Sequence, residues 1–190
     1  MKKRTLMAAA LMAAALGLSA CQNTEVKETT AAETTVPETE AKKVELADVQ
    51  AALKEALGEQ YIPSMEFDAE MFQNTFGVDA ELYDSFLAEG PMISVHVEQF
   101  VGVKAKEGKG EEVEKALNAY RDNLVENSMQ YPMNMPTIEA SQVLRMGDDV
   151  YFIMLGRADD AAFEESEEKA LESAKENNAK AVKIVEDMYQ

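Results

Sequence analysis

Apolar residues recur along this chain with two periods, 3.6 and 2, and the switches between them delimit the expected elements. Leu46, Val49, Leu53, Ala56 and Leu57 form one helical stripe, ended by Gly58. Residues 65–67 read as a short extended piece. Asp68 is placed to cap a helix through Phe72, and Phe76-Gly77-Val78-Asp79 to form a turn. Asp79 then caps a second short helix over residues 80–87, stopped by Gly90-Pro91. Ile93, Val95, Val97, Val101, Val103 and Ala105 share one parity, interrupted at Gln99. This pattern predicts one long strand, or two strands joined by a bend.

After a turn at residues 107–110, Val113, Ala116, Leu117, Tyr120 and Leu124 mark the clearest amphipathic helix in the chain. Glu111 and Glu112 sit at its positive end. Residues 131–136 hold two prolines and read as a loop. Residues 141–146 and 150–155 read as strands joined by a tight Gly147-Asp148-Asp149 hairpin. The second is apolar on both parities, which predicts a strand covered on both faces. Asp159 or Asp160 caps a long final helix reaching about Met188, with a sparse stripe of Phe163, Ala170, Leu171, Ala174, Ala181, Val182, Val185 and Met188. The expected fold class is α+β: a small antiparallel sheet of three to four strands packed with helices, plus a long C-terminal helix.

The N-terminal region reads differently. Lys2, Lys3 and Arg4 precede an uncharged run from Leu6 to Leu18, too short to cross a bilayer core of ~30 Å as a helix. It ends Leu18-Ser19-Ala20-Cys21, which resembles the lipobox of bacterial lipoproteins. That resemblance implies cleavage between Ala20 and Cys21, with lipid attached to the Cys21 thiol. Residues 1–20 are thus expected to be a lipoprotein signal peptide. Residues 21–43, rich in Thr and Glu with no apolar period, are expected to be a disordered tether with an r.m.s. reach of about 26 Å. Residues 44–190 are expected to form a single α+β domain.

Composition narrows the chemistry. The formal net charge is −18, which disfavours nucleic acid and suits solubility or cationic ligands. One cysteine forbids an internal disulfide. A Ser/His hydrolase would have to use His96, the single histidine, and no Gly-x-Ser-x-Gly elbow is present. A surface or hydrogen-bonded strand histidine is the simpler reading. One His and one lipidated Cys do not supply a structural zinc site. Asp148-Asp149 and Asp159-Asp160 lack the spacing of a calcium loop. Met129, Met133 and Met135 offer soft thioethers that suit Cu(I), although methionine is also a common core filler. Glu107-Gly108-Lys109-Gly110 has only part of a phosphate-loop pattern and reads as a strand-to-helix turn. The acids Glu164, Glu165, Glu167, Glu168 and Glu172 read as a solvated helix face.

Phe76-Gly77-Val78-Asp79, the run Pro91 to Phe100, Val103-Lys104-Ala105-Lys106 and the Met146-Gly147-Asp148-Asp149-Val150-Tyr151 hairpin together resemble the domain-of-unknown-function family 4358 over residues 44–156. The resemblance implies a lipoprotein of an anaerobic Gram-positive bacterium. It brings no activity and no catalytic residues, and the long helix over residues 162–190 reads as an extension beyond the family.

The functional expectation is a membrane-anchored extracytoplasmic lipoprotein whose domain is a non-catalytic binding module. Its partners would be the membrane, through lipid on Cys21, and a surface protein, peptide or cell-wall ligand. No enzyme activity, cofactor, metal or catalytic residue is expected. The alternative is a small enzyme or metal-handling protein. A concave pocket gathering His96, Tyr120, Tyr151 and carboxylates would favour that alternative, whereas a pocketless surface with an exposed apolar patch would favour the binding module.

Overall fold

The computed structural model describes residues 43–190. Ala20 and Cys21, with the signal peptide and all of the expected tether but Lys43, lie outside the described residues.

The chain forms helix α1 (Leu46–Leu57), strand β1 (Met65–Glu66), helix α2 (Ala69–Phe76), strands β2 (Tyr83–Gly90) and β3 (Gln99–Ala105), helices α3 (Gly110–Asn127) and α4 (Met135–Ala140), strands β4 (Gln142–Met146) and β5 (Asp149–Met154), and helices α5 (Asp160–Glu165) and α6 (Glu167–Met188). The strands make one antiparallel sheet in the order β1-β2-β3-β5-β4. The architecture is α+β with a long C-terminal helix, as expected, but the sheet has five strands rather than three to four.

Alternation sorts the strand residues onto two cores. Val101, Val103, Val150, Phe152 and Met154 pack against Phe72 and Phe76 of α2 and Val113 and Leu117 of α3. Phe100, Tyr151 and Ile153 face the other way, onto Leu46, Val49 and Leu53 of α1 and Ala181, Val182 and Val185 of α6. β5 is buried along almost its whole length, as its unbroken apolar run predicts.

The additional strand is β2. Asp79 does cap a helical turn, its side chain accepting the Glu81 N–H at 2.9 Å, but that turn ends at Leu82. The register shifts between Tyr83 and Ser85, leaving Asp84 as an extra residue. The bulge puts Tyr83 and Phe86, three apart, on one core, while Leu87 joins the other. A spacing of three imitates a helix, which is why residues 80–87 read as one. Conversely, residues 91–98 alternate like a strand but pair with nothing. They form a loop, held by a His96 N–H to Ile93 carbonyl bond of 3.2 Å, and only β3 is extended.

Three further boundaries differ from the sequence reading. The α2 helix runs on to Phe76, where Gly77 adopts φ 68°. The proline-rich stretch is a helical turn at Pro132–Asn134 leading into α4. The final helix is two helices, because Ser166 at φ −171° is extended and its hydroxyl caps α6 by accepting the Lys169 N–H at 3.2 Å.

Where α6 crosses the end of β5, a buried asparagine joins three elements. Asn178 Oδ1 accepts the Leu155 N–H at 2.9 Å and its Nδ2 donates to the Ala140 carbonyl at 2.9 Å. Gly156 passes so close that a Cβ there would meet the Ala174 carbonyl at 2.3 Å, so only glycine fits. No helix of the described residues is long and apolar enough to cross a membrane.

Candidate functional site

The chain leaves the sheet between β2 and β3 and returns at Gln99, so residues 91–98 overhang one end. Gly90-Pro91 ends β2, since proline cannot donate to the ladder. The overhang meets the Pro132–Asn134 turn, where the buried Asn134 donates from Nδ2 to the Val95 carbonyl at 3.1 Å. Asp160 and Phe163 of α5, with Arg157 just before it, close the third side. Between them lies a cavity of about 300 Å³, lined also by His96, Glu98, Met133 and Thr137.

Its walls are mixed. Val95, Met133 and Phe163 are apolar, and Met133 and Val95 remain 53% and 42% exposed. Met92 and Ile93, further along the same loop, are 72% and 57% exposed. Glu98 is buried. Its Oε2 accepts the Val97 N–H at 3.0 Å and lies 3.5 Å from His96 Nδ1. At the mouth, Arg157 lies 3.7 Å from Asp160, both well exposed.

His96 therefore lies in a loop at the cavity wall, not on the strand face that the alternation predicts. A recess of about 120 Å³ beside it is lined by Tyr120, whose hydroxyl donates to Gln99 Oε1 at 2.8 Å. Tyr151 belongs to the opposite core, bonded to Tyr189. Burial pushes both phenols up to about 12. The Gln99 bond partly offsets this for Tyr120, and for Tyr151 the Tyr189 bond offsets it while Asp149 adds to it. The structure brings His96, Tyr120 and carboxylates to one end of the sheet and leaves Tyr151 out.

The methionines do not converge. Met133 lines the cavity, Met135 lines a neighbouring cleft with Phe163 and Glu167, and Met129 is fully exposed. Among the described residues no three His, Cys, Asp or Glu side chains are grouped to hold a metal. The turn at residues 107–110 does bind an anion, but an internal one. Gly108 and Gly110 donate their N–H groups to the two oxygens of Asp148 at 2.9 and 3.0 Å. The hairpin thereby caps α3, and a Cβ on Gly110 would lie 2.5 Å from the Gly147 carbonyl.

Sequence reasoning passed over Glu98, Asn134 and Arg157 as site residues. Glu98 keeps the polar parity of the run Ile93 to Glu98, so no local signal marks it out.

The sequence model of the family described as domain of unknown function DUF4358 matches residues 56–155. The chain belongs to this family. Among curated proteins and among solved structures, nothing matches it. The matched DUF4358 segment includes all five strands, α2, α3 and α4, and it carries His96, Glu98, Met133, Asn134 and Thr137 of the cavity. Arg157, Asp160 and Phe163 lie beyond it, as does α6.

Proposed function

We propose that this chain is a Gram-positive lipoprotein, held on the extracytoplasmic face of the membrane by lipid on Cys21, and that its DUF4358 domain is a non-catalytic binding module. The anchor rests on the basic, apolar and Leu18-Ser19-Ala20-Cys21 order of the leader. The binding role rests on one observation: Val95 and Met133 stay half-exposed in the wall of an open cavity, with Met92 and Ile93 uncovered on the loop that forms it and Met129 and Tyr131 uncovered just before the Pro132–Asn134 turn. The exposed apolar patch favours the binding module. The surface is not pocketless, but its cavity gathers only His96 with Glu98 and Asp160, without Tyr120 or Tyr151. The occupant is a polypeptide or wall component presenting apolar groups beside positive charge, to match a chain of net charge −18.

The alternative, a small enzyme, draws on His96 beside Glu98. Their 3.5 Å separation is too long for a strong charge-assisted bond, and Tyr120 holds its proton up to about 12. Neither favours proton transfer near neutral pH. The anchor is tested by mass spectrometry of the protein from membranes. A diacylglyceryl adduct on an N-terminal Cys21 is expected, with release of Cys21→Ser into the soluble fraction. An unacylated chain found inside the cell would refute it. The binding role is tested by Met92→Ser/Ile93→Ser, which is expected to keep the melting temperature and to abolish crosslinking to the cell-surface partner.

A further inference from the structure

Resting on that reading of the cavity, we propose that its ligand is a protonated amine on an unbranched apolar stem, with the ammonium seated on Glu98. The Glu98 side chain is only 3% exposed, yet its carboxylate is half used. Oε2 has the Val97 N–H and the nearby His96, whereas Oε1 has no hydrogen-bond partner among the described residues. No sealed side-chain oxygen there lacks a partner, so Oε1 is reached from the cavity that Glu98 lines. A carboxylate oxygen that opens to the cavity and has no donor from the fold is free to take one from a ligand.

The neighbouring groups specify the donor. Asn134 commits one Nδ2 N–H to the Val95 carbonyl, and its Oδ1, with no donor among the described residues, is a second acceptor on the same wall. Two acceptors lining one cavity suit an ammonium, which carries three donors and no acceptor. The negative charge of Glu98 repels a carboxylate or phosphate. A hard divalent cation needs six or more oxygens, far beyond this set. Val95, Met133 and Phe163 then take the stem, and about 300 Å³ accommodates a five-carbon chain. Arg157, the one guanidinium at the mouth, is turned toward Asp160. The same chemistry belongs to a free alkylamine and to a lysine side chain.

The experiment is a titration of the full chain followed by the Met133 methyl and Phe163 ring resonances. The probes are pentylammonium, pentan-1-ol, pentanoate, calcium chloride and the blocked tripeptide acetyl-Ala-Lys-Ala-amide. Pentylammonium is expected to saturate these shifts and to bind about tenfold or more tighter than pentan-1-ol, the worth of a charge-assisted bond over a neutral one. Pentanoate and calcium are expected to leave them unmoved. Glu98→Gln keeps an oxygen for the Val97 N–H and is expected to bring pentylammonium down to the level of the alcohol. Tripeptide binding at least equal to that of pentylammonium identifies a lysine of a polypeptide as the source, and pentylammonium binding alone identifies a free amine. If alcohol and ammonium bind the wild-type chain equally, the cavity binds ligands but the amine is wrong. If no probe saturates, the cavity and the reading beneath it both fall. The wild-type series decides the matter even if Glu98→Gln does not fold.

Discussion

Glu89 and Glu98 stand at either end of the connection between β2 and β3, and both are 3% exposed. At Glu89 the fold supplies a partner for each oxygen: Lys54 Nζ at 3.0 Å from Oε1, and the Tyr61 hydroxyl donating to Oε2 at 2.8 Å. At Glu98 it supplies partners for one. A buried charge kept for stability is fully paired, because each unpaired lone pair costs what desolvation took away. The half-paired one stands at an open cavity whose wall holds the half-exposed Met133 and Val95. The contrast separates groups the fold uses from groups it holds in reserve.

The comparison breaks first at the most completely paired site. Asn178→Ala orphans the buried Leu155 N–H and Ala140 carbonyl together and is expected to cost about 3 kcal/mol in urea unfolding. Glu89→Ala strands Tyr61 and frees Lys54, which is half-exposed and can turn to water. A loss of about 2 kcal/mol is expected by the same measurement. A loss below about 0.5 kcal/mol in both variants would show that full pairing carries no stability here.

Alkali gives a smaller, graded effect. Tyr120 and Tyr151 titrate at about 12 in the fold and near 10 when unfolded. Their contribution is whole below pH 10 and disappears as the pH rises from about 10 to about 12, because the unfolded chain releases those protons first. Denaturation midpoints should fall through that window, and Tyr120→Phe should flatten the fall. The smallest expected effect is at Glu98→Gln, under about 1 kcal/mol, since the amide oxygen still accepts the Val97 N–H. A loss comparable to that at Glu89 would mean that Glu98 is a structural charge after all.

The fold was legible where pattern and packing coincide: the stripe of α1, the heptad-like spacing of α3 and the two-sided apolar run of β5 all follow burial directly. It was illegible where one residue changed the period. The Asp84 bulge gave a strand the spacing of a helix, and an overhanging loop from Pro91 to Glu98 alternated without a neighbour to pair with. The same loop explains why the cavity was missed. Alternation assigned Ile93, Val95 and Val97 to one buried face, whereas Val97 alone is buried and the other two stand at the surface. Arg157 and Asn134 line the same cavity as His96 only through the packing of the segments around α4 and α5, which local spacing does not encode. His96 was identified as a candidate by being the single histidine, although its setting was read as a strand.

The most direct test of a reserved binding face is photocrosslinking in intact cells, with a photoreactive side chain at Ile93 or, on the exposed side of α6, at Glu176. The account predicts a discrete adduct from position 93 that excess pentylammonium suppresses, and no such adduct from position 176. The same adducts from both positions, or none from position 93, would contradict it.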